Sequence, residues 1–412
     1  MVNLGNSKLL DLQYYLMWKS ISERNSRLYI LTQFFQALQF VIPIYIMFQT
    51  GFLSTSQIAF LAGWGYFVQL VLELPTGAFA DLVGKKASML WAFLATVVAY
   101  FIIPWAHGFW MFLLIETLGG LATALFSGAQ EALLYDSLKQ DHKENEFSKV
   151  LATNGFWYQI GLMVATATGG ILYGYGHLFP FILSGITAVI GGIITLLLIE
   201  PRIDTDKFSL NNYLNQIKMG VNEINKNTET KLLSSYYILV GSLTWMCQTF
   251  FNSYLLIDLG FSDQNRGFIA AGLRLFNILV LMRLIKNEKI FTHRNTIIFF
   301  PLIMIIAMTP GVFLQGIWGI PTVAGVMMAS TARWILLAKY TNESYDSRYR
   351  ATAISALSMA IGVVFVFGTT VSGPIMQYFG GARTIFTIFG IISVITIIPL
   401  VNKILKLPKY TK

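Results

Sequence analysis

Long apolar runs alternate with short polar connections along almost the whole chain of 412 residues. A membrane-crossing helix needs about 20 mostly apolar residues. By that measure the pattern predicts spans at 28–50, 56–80, 86–104, 108–136, 149–173, 178–200, 233–256, 265–285, 295–314, 316–340, 351–376 and 380–402. The longest polar stretch between spans, 201–232, is rich in Asn, Lys and Glu and divides six helices from six. The expected protein is an all-α membrane protein of twelve transmembrane helices in two bundles. An arm over 1–27 leads into a six-helix bundle over 28–200, a linker over 201–232, a second six-helix bundle over 233–402 and a tail over 403–412.

Composition strengthens this reading. Hydrophobic residues make up 55% of the chain and charged ones 12%, whereas an ordinary soluble domain is about 25% charged. The net charge of +9 does not point to nucleic acid, because the basic residues are dispersed among connecting loops and form no soluble face with aromatics. They set topology instead. With residue 1 inside, only Arg266 and Arg383 of the 29 lysines and arginines fall in outer loops, a few arginines fall within spans, and all others lie inside. Both termini are thus expected in the cytoplasm, with the protein in the inner membrane and lipid as a partner. No cleavable signal peptide is evident, since the first 27 residues carry Lys8, Asp11, Lys19, Glu23, Arg24 and Arg27. The arm either lies along the membrane surface as an amphipathic helix or simply leads into helix 1.

An internal repeat supports two pseudo-symmetric halves. Gly161 and Gly169-Gly170 in the fifth span recur as Gly362 and Gly373 in the eleventh. Paired homologous halves are what a secondary transporter uses to open alternately to each side.

Polar residues inside the spans are the candidates for chemistry, because each is costly in hydrocarbon. Gln33, Gln36 and Gln39 recur every three residues on one face of helix 1, which should therefore meet a cavity or another helix. Pro43 should bend the same helix. Glu73, just before Pro75 in helix 2, is either part of a gate or paired with a lysine at the interface. Glu116, far from any loop in helix 4, is the leading site for proton coupling or for holding a cationic substrate, the alternative being a permanently neutral packing group. Arg274 in helix 8, with Asn277 on the same face, and Arg333 in helix 10 could pair with Glu116 or Glu131 in one conformation and release it in another. For Arg333, snorkelling to the headgroups is the competing expectation. Cys247 reads as a packing residue. The histidines His107, His142, His177 and His293 all fall at or near loops, no metal or cofactor signature is present, and an enzyme is not expected.

The stretch Glu73-Leu-Pro-Thr-Gly77-Ala-Phe-Ala-Asp81-Leu-Val-Gly84-Lys85-Lys86, lying between the second and third apolar runs, resembles the signature loop of the major facilitator superfamily. Ser127 to Asp136 at the inner end of helix 4 and Arg348 to Ser355 at the start of helix 11 resemble a bacterial group within it. The resemblance implies that family's fold and a rocker-switch cycle driven by an ion gradient. It also implies that Asp81 clasps the inner rim of the other half, through Arg350 or the free N–H groups opening helix 11. Two departures limit the transfer. Glu116 stands four residues before Gly120, where many proton-coupled members carry an arginine. Helix 5 reads Ala-Thr-Gly-Gly, Ala167 to Gly170, where many antiporters have Gly-Pro.

The expected function is secondary transport of a small molecule by alternating access, as proton-coupled efflux of small amphipathic or cationic compounds by a monomer. An ion-coupled importer of a sugar or other polar nutrient is the alternative, and a non-transporting sensor the remote one.

Overall fold

In the computed structural model, residues 20–201, 210–285, 292–333, 343–346, 349–408 and 410 are described; the expected arm lies mostly outside them, as do parts of the linker and tail, including Arg348. Among the described residues all regular structure is helical. The helices are α1 (Ile21–Ala37), α2 (Tyr45–Thr50), α3 (Thr55–Val83), α4 (Lys85–Ile102), α5 (Phe109–Gln140), α6 (Phe147–Tyr175), α7 (Phe179–Leu196), α8 (Leu210–Ile224), α9 (Thr228–Met246), α10 (Asn252–Asp258), α11 (Asp263–Ile285), α12 (His293–Met308), α13 (Gly319–Ala332), α14 (Arg350–Tyr378) and α15 (Gly381–Leu405). Among the described residues six apolar helical stretches are long enough to cross a membrane by length and composition: Thr55–Glu73, Lys85–Trp105, Phe109–Gln140, Phe179–Leu196, Thr352–Tyr378 and Gly381–Leu405. The fold is two pseudo-symmetric six-helix bundles, with α8 in the connection between them.

Helix 1 starts earlier and is less continuous than its apolar pattern suggests. Ser20 caps α1 by accepting the Glu23 N–H. Asn25 is fully buried, donating to Ser137 Oγ and to the Ile199 carbonyl, both at 2.7 Å. Residues 20–27, expected as part of the arm, are therefore docked on the ends of α5 and α7. The helix then stops at Ala37 and resumes at Tyr45. Pro43 has no N–H and disfavours helical geometry at the residue before it, so the expected bend becomes a break. One freed carbonyl, that of Leu38, accepts from the Thr187 hydroxyl at 3.0 Å, replacing the bond that the helix would have supplied.

The two halves meet through matched crossings. Gly170 of α6 lies so close to the Asp263 carbonyl, at the start of α11, that a Cβ would stand 2.3 Å away. Gly373 of α14 also lies close on the start of α3, where a Cβ would stand 2.8 Å from the Ala59 Cβ and 3.0 Å from the Ser56 Cα. Helix 5 thus faces helix 8 as helix 11 faces helix 2, the relation a repeated half requires. Ser56 adds hydrogen bonds from its N–H and hydroxyl to Gln377 Oε1, at 3.2 and 2.6 Å. These contacts close one face of the molecule. The opposite face carries Lys85, Lys86 and Arg350 and is called the basic face below.

Within the first half, α3 crosses α5 where a Cβ on Gly120 would lie 2.4 Å from the Gly65 carbonyl. Gly120→Val should lower stability by about 1–3 kcal/mol through overpacking. Gly119 has nothing within 4 Å of its Cβ position, so Gly119→Ala should be neutral or slightly stabilising. Thermal denaturation of the two variants in detergent, beside the parent, measures the difference.

Candidate functional site

Between the halves lies a cavity of about 540 Å³, walled in the first half mainly by helices 1–4 and 6 and in the second by helices 7, 8, 10 and 11, with Thr166 of helix 5 also reaching it. Its placement follows from the crossings: the halves touch at one face and diverge behind it. Gln36, Gln39, Glu116 and Arg274 all line it.

Glu116 is held in place by its helix and by helix 1. The α3–α5 crossing brings its side chain against Gly65, where a Cβ would stand 2.9 Å from Oε2. Tyr45, the first residue of α2, donates its hydroxyl to Glu116 Oε1 at 2.8 Å. The break in helix 1 is what presents that tyrosine as the start of a separate helix. Below it, Gln130 Nε2 donates to Gln36 Oε1 at 2.7 Å and Gln39 Nε2 to the Gln36 carbonyl at 3.1 Å. Gln33 leaves the stripe, since it is buried away from the cavity wall and its Nε2 has no partner among the described residues.

The other half contributes polar groups that the apolar pattern hides. Helix 7 is interrupted by a π-helical turn, Cys247–Phe251, and around it Gln248, Thr249, Asn252 and Ser253 face the cavity. Such turns recur at functional sites. Cys247 itself is buried in the core. Arg266, counted with the outer loops although it stands at the very start of the expected span 265–285, is part of α11, buried and lining the cavity. Its Nη2 pairs with Asp263 and its Nη1 donates to the Phe261 carbonyl at 2.6 Å. The signal available in the sequence was Asp263 three residues before it on a helix start. Across the midline, Tyr66 packs edge-on against Trp245 with ring centroids 4.8 Å apart.

Several expected partners are not brought together. Neither Arg274 nor Arg333 pairs with Glu116 or Glu131 in this structure. Glu131 is exposed, well along α5 from the cavity-lining part of that helix. Arg333 does not snorkel: it is fully buried, with its guanidinium 5.2 Å from the centroid of the Tyr237 ring, a cation–π contact that keeps the charge inside the second half. Asn277 is buried beside the site, donating to the Leu273 carbonyl at 2.8 Å, and does not line the cavity. Glu73 is half-buried and also outside the lining.

On the basic face the loop between α3 and α4 is anchored in its own half. Gly84 turns the chain at φ +108°, a conformation other residues rarely adopt. The Glu200 carboxylate then accepts both the Lys85 and Lys86 N–H groups, at 2.8 and 2.7 Å, capping the start of α4. The Lys85 side chain is buried and paired with Asp136 of α5, and Lys86 Nζ donates to the Leu196 carbonyl at 2.8 Å. Gly77 has nothing within 4 Å of its Cβ position, and a Cβ on Gly128 of α5 would stand an ordinary 3.7 Å from the Gly77 Cα, so this crossing does not itself require either glycine. Asp81 and Arg350 are exposed, and no ion pair joins them. The expected clasp is absent because the closed face is the opposite one.

Comparison with known proteins places this geometry in a family. The profile of the Major Facilitator Superfamily matches residues 28–332. The uncharacterized MFS-type transporter YxaM of Bacillus subtilis (strain 168) is 24% identical over 321 residues, 76% of this chain and 78% of that protein. Quinolone resistance protein NorA of Staphylococcus aureus (strain Mu50 / ATCC 700699) is 21% identical over 296 residues, 70% of this chain and 72% of that one. The crystal structure of nucleoside transporter NupG shares the fold at a TM-score of 0.73 and 14% identity, covering 94% of this chain and 99% of its own. A bacterial homolog to the human lysosomal transporter Spinster, solved in an inward-facing and unoccupied conformation, does so at 0.68 and 14%, covering 94% and 97%. With its profile match running from the first helix into the tenth, and with paired bundles closed at one face around a central cavity, the chain belongs to the major facilitator superfamily of membrane transporters.

Proposed function

We propose that the protein is a proton-coupled exporter of small amphipathic or cationic compounds, a monomer in the inner membrane with both termini and the basic face in the cytoplasm. The observation that carries this reading is Glu116, the one acidic residue among the described residues on the wall of the central cavity, tied to helix 1 through Tyr45. A carboxylate in a low-dielectric site is relieved of its charge cost by a proton or by a substrate cation. The two are alternative occupants of one position, and alternation between them is exchange. In this reading the structure is the inward-open state, and closing the basic face brings Asp81 to Arg350 or to the opening N–H groups of α14. The distant similarity to a quinolone resistance protein favours an amphipathic cargo.

A polar-nutrient importer is the second reading, favoured by the neutral hydrogen-bonding groups of Gln36, Gln39, Gln248 and Thr249 on the same walls. Vesicle transport separates the two. Inside-out vesicles under an imposed pH gradient should accumulate a cationic dye, and Glu116→Gln should abolish gradient-driven accumulation. Gradient-independent equilibration of a sugar, unaffected by that variant, would select the importer. Asp81→Asn should slow transport at least tenfold with normal membrane insertion, and full transport by that variant would remove the gate role. Glu200→Ala should cost about 1 kcal/mol of stability through loss of the α4 cap, read as a lowered melting temperature.

A further inference from the structure

Charge in the cavity is unbalanced. Among the described residues Glu116 is the one acidic residue on the wall, while Arg266 and Arg274 bring two guanidinium groups from the other half. Arg266 is already engaged by Asp263 and by the Phe261 carbonyl. Arg274 is not. Among the described residues it has no ion pair and no hydrogen bond, and its Nε is buried without an acceptor. Tyr158, on the facing half, lies in its neighbourhood and carries no charge to balance it. A guanidinium stays charged at any working pH. In a low-dielectric interior it is costly until an anion meets it, and a carboxylate meets it best because two oxygens match its fork. The cavity presents that fork on one wall and a carboxylate on the other, with Tyr66, Phe126, Met327 and Phe365 among the largely apolar groups between.

Resting on the transport reading above, we propose that Arg274 is the anion-recognising residue of the cavity. The preferred substrates are amphipathic zwitterions, with a carboxylate on Arg274, an amine directed at Glu116 and an apolar body along the aromatic wall.

A matched pair of probes tests this: a rhodamine with a free benzoate beside its cationic amines, and the methyl ester of the same dye, which is a cation only. Equilibrium binding to the purified full-length protein in lipid nanodiscs is measured together with vesicle transport. The parent protein should bind the acid more tightly than the ester. Arg274→Gln should lower the acid-to-ester affinity ratio about tenfold, and Arg274→Lys, which keeps the charge but not the fork, should restore part of it. An unchanged ratio in Arg274→Gln, or a parent protein that does not prefer the acid, overturns the inference even if both dyes are transported. Arg274-dependent preference for the acid without transport of either dye sustains the inference and sinks the exporter reading. If neither dye binds the parent protein, both fall.

Discussion

The architecture depends on two backbone-level crossings, α6 on α11 and α3 on α14. Lipid tails are as apolar as leucine, so helices in a bilayer gain little by hiding apolar side chains from it and associate through close packing instead. Gly170 and Gly373 supply that closeness at equivalent places in the two repeats. Because both crossings sit toward the same end of their helices, the bundles meet at one face and part behind it. The cavity is the space left over, and its lining is determined by which residues stand beyond the crossings.

Charges are treated differently within a half and between halves. Lys85 with Asp136, Glu200 on the start of α4, and Arg333 over the Tyr237 ring are all contacts made within a single bundle. They tie helices of that bundle to one another and let it move as a body. Glu116 and Arg274 face each other's halves across the cavity, and Asp81 and Arg350 stand at the rims of theirs. Groups of this second kind have energies that depend on how the bundles are placed, which is the property a rocking transporter needs.

Much of this was legible in the residues. The apolar runs located the spans, and the Gly77 to Lys86 stretch marked the loop between helices 2 and 3. Glu116 drew notice because a carboxylate so far from a loop must have a cavity or a partner, and it has both. What escaped were relations between distant positions. Nothing near Gly84 announces that Glu200 will cap α4, because the cap arises only when helix 6 returns to the basic face. Arg266 looked like a loop residue because a helix start and a loop share the same polar composition. Arg333 was misjudged on depth along its helix alone; the Tyr237 ring that holds it lies in helix 7. The break before Tyr45 exceeded the bend that Pro43 implies, since Thr187 satisfies a carbonyl only after helix 6 has packed.

That break also divides helix 1 mechanically. The longer piece, α1, is pinned near the basic face by Asn25, while the six-residue α2 is tethered to Glu116 through Tyr45. A continuous rod would transmit any displacement at its upper end along its whole length. Here a piece of less than two turns holds the acidic group and is joined to the remainder by non-helical chain, so a displacement of it is absorbed at the joint and is not carried along a helix.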